Sequence, residues 1–397
     1  MHPTQSASPK DPRMPYLPPS FSLHHRLTRR CLFFAAWLMA LSTSVTCLAA
    51  TSSAPPPIRH VFIIMLENES YPVTFGPQSI APYLARELPK QGALLPNYYG
   101  IGHYSLDNYI AMISGQAPNP ATQADCPTFS EFMPTAKRLD ANGQLPGTGC
   151  IYPKRVNTLA NQLTDAGYTW KAYMEDMGKD PVRESSTCAH PVVGTPDITE
   201  HATPQDQYAA KHDPFVYFHR IIDDKNYCGS RVVNLDHLIA DLAKLDSTPN
   251  FVYVTPNLCH DGHDAPCKSG EPGGLISADA FLRTWVPRIV DSPAFKQDGL
   301  LIITFDEGND GKACCNEKPL PGGPQPGGKI GPGGGQIGAV LLSPYIAPGT
   351  QSNVEYNHYG LLRSLENIFG LSHLGYAQDN KLNTFGRDVF TAHPASP

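Results

Sequence analysis

The sequence predicts an α/β fold with a mostly parallel central sheet and helices on both faces. Short apolar runs rich in β-branched residues recur along the 397-residue chain, and segments with helical spacing lie between them. The 40 prolines and 33 glycines are too many for a helical bundle. Alternation of strands and helices is the sequence signature of a parallel sheet that helices cover.

Five apolar runs predict strands that are buried on both faces, because polar residues do not alternate within them. These runs are His60 to Leu66, Tyr168 to Met174, Phe251 to Thr255, Leu300 to Phe305 and Ile337 to Leu342. Helices are predicted between them at 156–167, 232–245, 279–289 and 359–369. Segment 308–335 holds 10 glycines and 5 prolines and is predicted to be a long surface loop.

Composition divides the chain into four parts. We expect an export signal at 1–50, a Ser/Pro linker at 51–57, one folded domain with loop insertions at 58–375 and a tail at 376–397. The signal has basic residues and then an apolar run from Cys31 to Leu41, which is shorter than the roughly 20 residues of a membrane anchor. The pair Arg29-Arg30 fits a twin-arginine signal as well as an ordinary secretory signal, and both alternatives stay open.

The formal net charge of −6 and the lack of any basic run in the sequence argue against a nucleic-acid partner. After signal cleavage we expect no stable membrane anchor, and the sequence does not indicate an oligomeric state.

Eight cysteines follow the predicted signal, and an even number indicates disulfides in an oxidising compartment. They are Cys126, Cys150, Cys188, Cys228, Cys259, Cys267, Cys314 and Cys315. Cys126 with Cys150 and Cys259 with Cys267 are the first pairings to test. A zinc site of cysteines and histidines is the alternative to the second pairing.

Polar side chains follow four of the predicted strands. They are Glu67, Asn68, Glu175, Asp176, Asn257, Asp306 and Glu307. Any one of them could cap a helix, but ligands bind beyond the carboxyl ends of parallel strands, where all of them are expected. Clustered carboxylates call for a cation, and oxygen ligands favour Mg²⁺, Ca²⁺ or Mn²⁺.

The segment after Thr255 packs His260, Asp261, His263 and Asp264 into five residues. These side chains can serve as metal ligands or as a general acid. The alternative is an Asp-Gly turn in a loop that a disulfide between the neighbouring cysteines closes.

Ser105 follows two chain-breaking residues, Gly100 and Gly102, and precedes a predicted helix at 106–113. A serine hydroxyl at a helix N-terminus can attack an anionic centre, because free N–H groups and the helix dipole stabilise an incoming phosphate. The alternative is that Ser105 only caps the helix.

Five ordered motifs together resemble the phosphoesterase family of bacterial acid phosphatases and phospholipases C, which is related to the alkaline phosphatase superfamily. They are Glu67-Asn68, Gly-His-Tyr-Ser-Leu-Asp-Asn-Tyr-Ile at 102–110, Thr-Pro-Asn-x-x-x-Asp-x-His at 255–263, Ile-Ile-Thr-Phe-Asp-Glu-Gly at 302–308, and Tyr-Asn-His-Tyr-Gly-Leu-Leu-Arg-Ser-Leu-Glu at 356–366. The resemblance implies an alkaline-phosphatase-like fold and makes 58–375 a phosphoesterase catalytic domain.

The resemblance also implies roles for individual residues. Ser105 would be the nucleophile that forms a phosphoserine, and Asn108 would hold the phosphate. Glu67, Asn68, Ser105, Asp306 and Glu307 would hold a divalent metal ion, which could be Ca²⁺, Mg²⁺, Mn²⁺ or Zn²⁺. Asp261, His263 and His358 match positions that in the wider superfamily bind a second metal or contact phosphate. We expect Asp261 and His263 to act in catalysis, and Asn68, His260 and His358 to contact the substrate. Glu307 stands where the superfamily often has histidine, so one hard cation is expected rather than two zinc ions.

The resulting hypothesis is an exported, metal-dependent phosphatase acting on phosphate monoesters, with phosphoinositides among the candidate substrates. His263 or His260 would protonate the leaving oxygen. One alternative is a phospholipase C that cleaves phospholipid headgroups, and another is an inactive exported binding protein. The expected partner is a small phosphorylated substrate or a phospholipid headgroup.

Overall fold

The computed structural model describes residues 55–392. The predicted export signal at 1–50 lies outside these residues, as do positions 51–54 of the predicted linker and 393–397 of the predicted tail. Between residues 55 and 392, no helix has both the length and the apolarity needed to cross a bilayer.

The strands are β1 His60–Leu66, β2 Ala93–Leu95, β3 Tyr98–Tyr99, β4 Met133–Pro134, β5 Gly147–Thr148, β6 Trp170–Met174, β7 Val232–Asn234, β8 Phe251–Thr255, β9 Gly299–Phe305, β10 Ala339–Leu342, β11 Thr350–Gln351 and β12 Tyr356–Asn357. The α-helices are α1 Tyr71–Thr74, α2 Ser105–Ser114, α3 Leu159–Asp165, α4 His219–Ile222, α5 Lys225–Gly229, α6 His237–Asp241, α7 Gly274–Val290, α8 Pro293–Asp298 and α9 His358–Phe369. Short 3₁₀ turns include Thr122–Ala124, Ala210–His212, Pro214–Tyr217, Leu245–Ser247 and Gly375–Gln378, and Tyr83–Glu87 is a π-helical turn.

Eight strands form one sheet in the order β11-β2-β10-β9-β1-β8-β6-β7. The pairs from β9 to β7 along this order are parallel, whereas β10 runs antiparallel to both of its neighbours. All residues of β1, β8 and β9 are buried, so both faces of the central sheet are covered. The predicted α/β class with a mostly parallel sheet is therefore confirmed.

The strand predictions hold better than the helix predictions. β1 and β8 have the predicted bounds, and β9 begins one residue early. The predicted helix at 232–245 is wrong, because its first residues form β7 beside β6 and only His237–Asp241 is helical. The two adjacent valines, Val232 and Val233, are β-branched and extend the sheet more readily than they start a helix.

The predicted surface loop at 308–335 is partly buried. Leu320 is only 2% exposed, and the Gly334 N–H donates to the Gly100 carbonyl at 3.2 Å. A Cβ on Gly334 would lie 2.3 Å from the Gly102 carbonyl oxygen, so glycine is required where the two backbones meet. The loop thus packs against the segment that leads into α2.

All eight cysteines of the described chain are paired. The two predicted pairs, Cys126–Cys150 and Cys259–Cys267, are both present, so the disulfide replaces the zinc alternative. Cys188–Cys228 and the adjacent pair Cys314–Cys315 complete the set.

Candidate active site

Ser105 is the first residue of α2 and is 3% exposed. Its Oγ donates to Glu67 Oε2 at 2.7 Å. The preceding Tyr104 has φ 82° and ψ 133°, a backbone conformation that costs a non-glycine residue free energy. Tyr104 occupies the N-cap position, so Ser105 does not act only as a cap: its hydroxyl points to a carboxylate.

Glu67 lies at the centre of this site, directly after β1. Its Oε2 also accepts from Asn68 Nδ2 at 3.1 Å, and its Oε1 accepts from Tyr109 Oη at 2.5 Å. Tyr109 lies one turn after Ser105 in α2. One helical turn therefore directs both a serine hydroxyl and a phenol to the same carboxylate.

Asp306 lies beside Glu67 because β1 and β9 are parallel and pair Leu66 with Phe305. Its Oδ1 accepts from the backbone N–H groups of Asn68 at 2.9 Å and Glu307 at 2.6 Å. Its Oδ2 is buried without a hydrogen-bond partner among residues 55–392. This oxygen is therefore available to a cation.

Glu307 turns away from Glu67 and contacts the loop before Ser105. Its Oε2 lies 2.6 Å from His103 Nδ1, and its Oε1 accepts from the Tyr104 N–H at 3.1 Å. In this arrangement Glu307 fixes the approach to α2. Its role as a metal ligand remains a prediction.

Asp261 joins the site from the segment after β8. Its backbone carbonyl accepts from the Glu67 N–H at 2.8 Å, and its Oδ1 accepts from the His263 N–H at 2.9 Å. Within the described chain, its buried Oδ2 has no hydrogen-bond partner. The His263 side chain is 55% exposed, and its Nδ1 lies 3.1 Å from Asp264 Oδ1. His263 is thus an accessible ionisable group next to Asp261, and its role as a general acid remains a prediction.

His212, which the sequence analysis did not identify, lies between Glu67 and Asp261. Its Nε2 is 3.3 Å from Glu67 Oε1, and its Nδ1 is 3.8 Å from Asp261 Oδ2. The ring is 2% exposed and stacks on Tyr109 with 5.4 Å between centroids and 7° between planes. Neither nitrogen has an aligned hydrogen-bond partner in the part of the chain that the structure describes.

Lys211 precedes His212 and brings a partly buried positive charge to the site. Its Nζ lies 3.0 Å from Asp125 Oδ2. The Asp125 Oδ1 accepts from the Leu106 N–H in the first turn of α2 at 3.0 Å. The run Lys211-His212-Asp213 inside the otherwise largely apolar segment 208–218 is the available sequence signal, but it does not follow a predicted strand.

Asn108 and His358 form hydrogen bonds with backbone groups next to the site residues. Asn108 Oδ1 accepts from the N–H groups of Ile101 and Gly102 at 2.7 and 3.0 Å. His358 Nε2 donates to the Asp306 carbonyl at 2.6 Å, and its Nδ1 lies 3.2 Å from Tyr98 Oη. The structure favours positioning roles for both residues, whose predicted substrate contacts remain predictions.

The polar residues after β6 form a second cluster. His260 lies between Glu175, at 2.9 Å from Nδ1, and Glu271, at 3.1 Å from Nε2. Asn257 Nδ2 donates to Asp176 Oδ2 at 2.9 Å. The carboxylates expected at one edge therefore divide into two groups, because β6 is separated from β1 by β8.

Burial and mutual repulsion dominate the electrostatics of the Ser105 site. Burial and the nearby Asp306 and Asp261 raise the pKa of Glu67 well above its usual range. Burial and Glu307 raise the pKa of Asp306 to about 8, and burial raises the pKa of Asp261 to about 7. Burial and the Lys211 charge lower the pKa of His212.

These acids fit a hard divalent cation. Three buried carboxyl groups with raised pKa values cannot all ionise without a compensating positive charge. Glu67, Asp306 Oδ2, the Asn68 amide and Ser105 Oγ provide an oxygen-rich donor set. The orphaned Asp306 oxygen and the His212 nitrogens are the observations that support this fit.

Residues 77–372 match the model of the Phosphoesterase family. A probable acid phosphatase from Kluyveromyces lactis is 23% identical over 80% of this chain, and a phosphate-repressible acid phosphatase from Penicillium chrysogenum is 26% identical over 79%. The chain spans 59% of the length of each of these two relatives. A phosphatidylinositol-3-phosphatase from Mycobacterium tuberculosis is 25% identical over 86% of both chains.

Among solved structures, a protein of the alkaline phosphatase superfamily from Vibrio parahaemolyticus aligns with a TM-score of 0.47 at 14% identity, covering 84% of this chain and 72% of that one. A putative sulfatase from Bacteroides thetaiotaomicron aligns with a TM-score of 0.44 at 13% identity, covering 85% and 76%. The family model, in contrast, matches well over half of the sequence, and this chain therefore belongs to the Phosphoesterase family.

Proposed function

We propose that this chain is a phosphatase that hydrolyses phosphate monoesters through a phosphoserine at Ser105. The observation that carries the proposal is the 2.7 Å hydrogen bond from Ser105 Oγ to the buried Glu67 Oε2 at the start of α2. A hydroxyl nucleophile with an adjacent base, at the positive end of a helix, suits attack on a phosphoryl group. Membership of the Phosphoesterase family supports the same reaction class.

In the first step, Ser105 Oγ attacks phosphorus while its proton passes to Glu67 Oε2, the atom to which it already donates. Tyr109 holds the other carboxylate oxygen, so Glu67 keeps its orientation during the transfer. The Lys211 ammonium adds positive charge close to the incoming dianion.

The leaving oxygen needs a proton, and His263 is better placed than His260 to supply it. The hydrogen bond to Asp264 raises the pKa of His263, and its side chain is half exposed at the edge of the site. Both nitrogens of His260 instead contact carboxylates of the second cluster. Neutral His263 can then accept a proton from the water that attacks phosphoserine.

A divalent cation would be held by Glu67, Asn68, Ser105 and Asp306. When bound, such an ion lowers the pKa of the serine hydroxyl and neutralises phosphoryl oxygens. The fit of these residues is supported by the buried Asp306 oxygen that lacks a partner within residues 55–392. Glu307, the fifth predicted ligand, would join them only if it released His103.

We place the protein outside the reducing cytosol. Four disulfides support an oxidising compartment, the periplasm or the exterior. This agrees with the proposed export signal, which lies in residues that the structure does not describe.

Hydrolysis of p-nitrophenyl phosphate by the full chain tests the proposed nucleophile. We expect Ser105→Ala to lower kcat by about 10⁴-fold or more, because the atom that would carry the phosphoryl group is removed. Ser114→Ala is the matched control: Ser114 is buried in the same helix, and within residues 55–392 its hydroxyl bonds only to the Ile110 carbonyl and the Gln116 N–H. Turnover by Ser105→Ala close to that of the control would contradict the assignment.

A substrate panel separates the alternatives. The match to the phosphatidylinositol-3-phosphatase over 86% of both chains supports a phosphoinositide among the substrates. The purified protein is assayed with p-nitrophenyl phosphate, a phosphatidylinositol phosphate and phosphatidylcholine, each with and without chelator. Release of phosphate from the first two, lost with chelator, supports the proposal. Release of phosphocholine from the third indicates a phospholipase C, and no product from any indicates a binding protein.

A further inference from the structure

The disulfide between adjacent residues Cys314 and Cys315 differs from the other three in the length of chain between the two cysteines. The other pairs close segments with sequence separations of 24, 40 and 8, whereas this pair has a separation of 1. Because the entropic stabilisation by a disulfide grows with the length of the closed loop, this bond contributes little by that route. Its effect must be local, on the turn that contains it.

This bond is more accessible than the pairs predicted from the sequence, and of the other six cysteines only Cys188 is likewise partly exposed. Cys315 is partly exposed, whereas Cys126, Cys150, Cys259 and Cys267 are at most 5% exposed. Cys315 borders a pocket whose lining includes Lys318, Asn357, Tyr359 and Tyr376. A small dithiol can therefore reach this sulfur directly.

A continuous set of contacts leads from the cysteine pair to the start of α9. Cys314 Sγ lies 3.5 Å from the Tyr356 carbonyl oxygen and 3.8 Å from Glu317 Oε1. That Glu317 oxygen accepts from Asn357 Nδ2 at 2.8 Å. Asn357 in turn caps α9, since its Oδ1 accepts from the Gly360 N–H at 2.9 Å.

The first residue of α9 touches the Ser105 site. His358 Nε2 donates to the backbone carbonyl of Asp306 at 2.6 Å. The loop that contains the cysteines also contacts the segment before Ser105, since the Gly100 N–H donates to the Gly335 carbonyl at 3.0 Å. A rearrangement at the cysteine pair thus has two structural routes to the site.

We propose that Cys314–Cys315 is a site of thiol–disulfide exchange with a dithiol, and that its redox state sets the position of the N-terminus of α9 and of Asp306. A thiolate of the dithiol attacks Cys315 Sγ and displaces the Cys314 thiolate, which takes up a proton. The second thiol of the reductant then displaces Cys315 from the mixed disulfide. The products are two cysteine thiols and one oxidised dithiol.

Reduction changes the contacts of the turn. Each new thiol carries a proton that it can donate, and the Tyr356 carbonyl and Glu317 Oε1 are the acceptors next to Cys314. Cys315 and Asn316 have φ of 52° and 58°, so the bonded turn holds two successive non-glycine residues in the left-handed region. Release of the bond lets this backbone relax and loosens the contact from Glu317 to Asn357.

Alkylation of the full chain during a dithiothreitol titration tests the exchange site. Mass spectrometry measures the labelling of each cysteine. We expect Cys314 and Cys315 to be labelled at a lower dithiothreitol concentration than the other six cysteines. Labelling of this pair together with or after the others would overturn the proposal, and this result does not depend on any enzyme activity.

Hydrogen exchange of the peptide that covers 356–366 tests the coupling, also without an assay. Selective reduction should speed exchange at the start of α9 by about tenfold, which corresponds to about 1.4 kcal/mol of opening free energy. Unchanged exchange would refute the coupling. Cys314→Ser/Cys315→Ser should show the fast exchange without reductant and no response to it, whereas Cys188→Ser/Cys228→Ser should retain the response.

The effect on the site is measured with p-nitrophenyl phosphate, and only this readout rests on the proposed function. Selective reduction should lower kcat/KM by about fivefold or more, the usual lower size of coupling between two sites. A change smaller than about twofold, in protein whose oxidised form is active, would overturn the link to Asp306. If the oxidised protein is inactive, the proposed function fails, while labelling and hydrogen exchange still decide the exchange site.

Discussion

Tyr109 is the residue through which α2 controls Glu67, since its hydroxyl donates to Oε1 at 2.5 Å while its ring stacks on His212. A hydrogen bond from a phenol stabilises the ionised carboxylate, and its loss leaves a buried charge under-solvated. The bond therefore helps to keep Glu67 ionised, the form in which it can accept a hydrogen bond from Ser105. It also explains why a tyrosine follows Ser105 at a distance of one turn.

We expect Tyr109→Phe to lower kcat by about tenfold, equivalent to about 1.4 kcal/mol. The acid limb of the pH profile should move to higher pH, because the lost bond had lowered the pKa of Glu67. Tyr173→Phe is the control, since that buried hydroxyl also donates to a carboxylate, Asp241, at 2.7 Å but lies outside the site. Identical pH profiles for the wild type and Tyr109→Phe would contradict this role.

His260 stabilises the fold in a pH-dependent way. Burial opposes its charge, but Glu175 and Glu271 outweigh burial and raise its pKa to about 9. A histidine with a raised folded-state pKa contributes stability that is complete below the unfolded pKa of about 6.5 and is lost as pH rises through about 9. The second cluster should therefore weaken in alkaline solution.

Urea unfolding at about pH 6 and about pH 10 measures this contribution. Relative to the wild type, His260→Gln should lower the free energy of unfolding by about 1 to 3 kcal/mol at the lower pH and by almost nothing at the higher pH. This range allows for the partial exposure of His260. His373→Gln is the control, because burial lowers the pKa of His373. The difference in free energy of unfolding between His373→Gln and the wild type should not become smaller between the two pH values.

Residues directly after strands were predictable, and those held by long-range packing were not. Glu67 and Asp306 follow apolar runs that can only be buried strands, so their place at the carboxyl edge follows from the sequence. His212 reaches the site from a short 3₁₀ turn, and only its stacking on Tyr109 shows its position. The order of the strands cannot be read from the sequence. The sequence therefore predicts Glu175 beside acids that follow β1, although β6 lies two strands away from β1.

Among the elements, the turn into α2 contains a strained residue, Tyr104. This residue is 55% exposed and has φ of 82°, so its side chain gains little from packing there. The carbonyl of Gly102 and that of Tyr104 both accept from Asn108 Nδ2, which locks the turn from inside the helix. We infer that the strain is retained because it presents Ser105 to Glu67.

Tyr104→Gly should raise the free energy of unfolding by about 1 kcal/mol. Glycine adopts this φ without steric cost, and this gain exceeds the larger conformational entropy that glycine loses on folding. Activity should fall, since the turn becomes looser. Tyr104→Ala is the control, because it removes the ring but keeps the Cβ, and it should bring no gain in stability. Urea midpoints and kcat with p-nitrophenyl phosphate give both readouts. A gain in stability for alanine equal to that for glycine would show that the strain is absent.

The elements also show the limit of local sequence patterns. The 232–245 segment has helical spacing, yet Val232 to Asn234 pair with β6. β6 has an edge available for pairing there, and the hydrogen bonds between β6 and β7 outweigh the local helical preference. The fifth predicted strand is present as β10 but runs antiparallel, and no periodicity reports strand direction.

For the whole molecule, the disulfides rank by the length of chain that they close. Cys188–Cys228 has a sequence separation of 40 and Cys259–Cys267 one of 8. The loop-entropy model gives about 4 kcal/mol for the first and about 2.5 kcal/mol for the second. Urea unfolding of the two double Cys→Ser variants should show the larger loss for Cys188–Cys228. The opposite order would mean that local packing, rather than chain entropy, decides their contribution.

The central place of β1 in the sheet governs how the protein can be made. β1 is the first strand to be synthesised, yet Val61 pairs with Phe251 on one side and Leu300 on the other. At 5 to 20 residues per second, a ribosome needs roughly 10 to 40 s to add the roughly 190 residues before the first partner exists. Throughout that time the apolar residues of β1 lie in a strand with both edges unpaired. The two partners of β1 therefore become available only after most of the chain has been made.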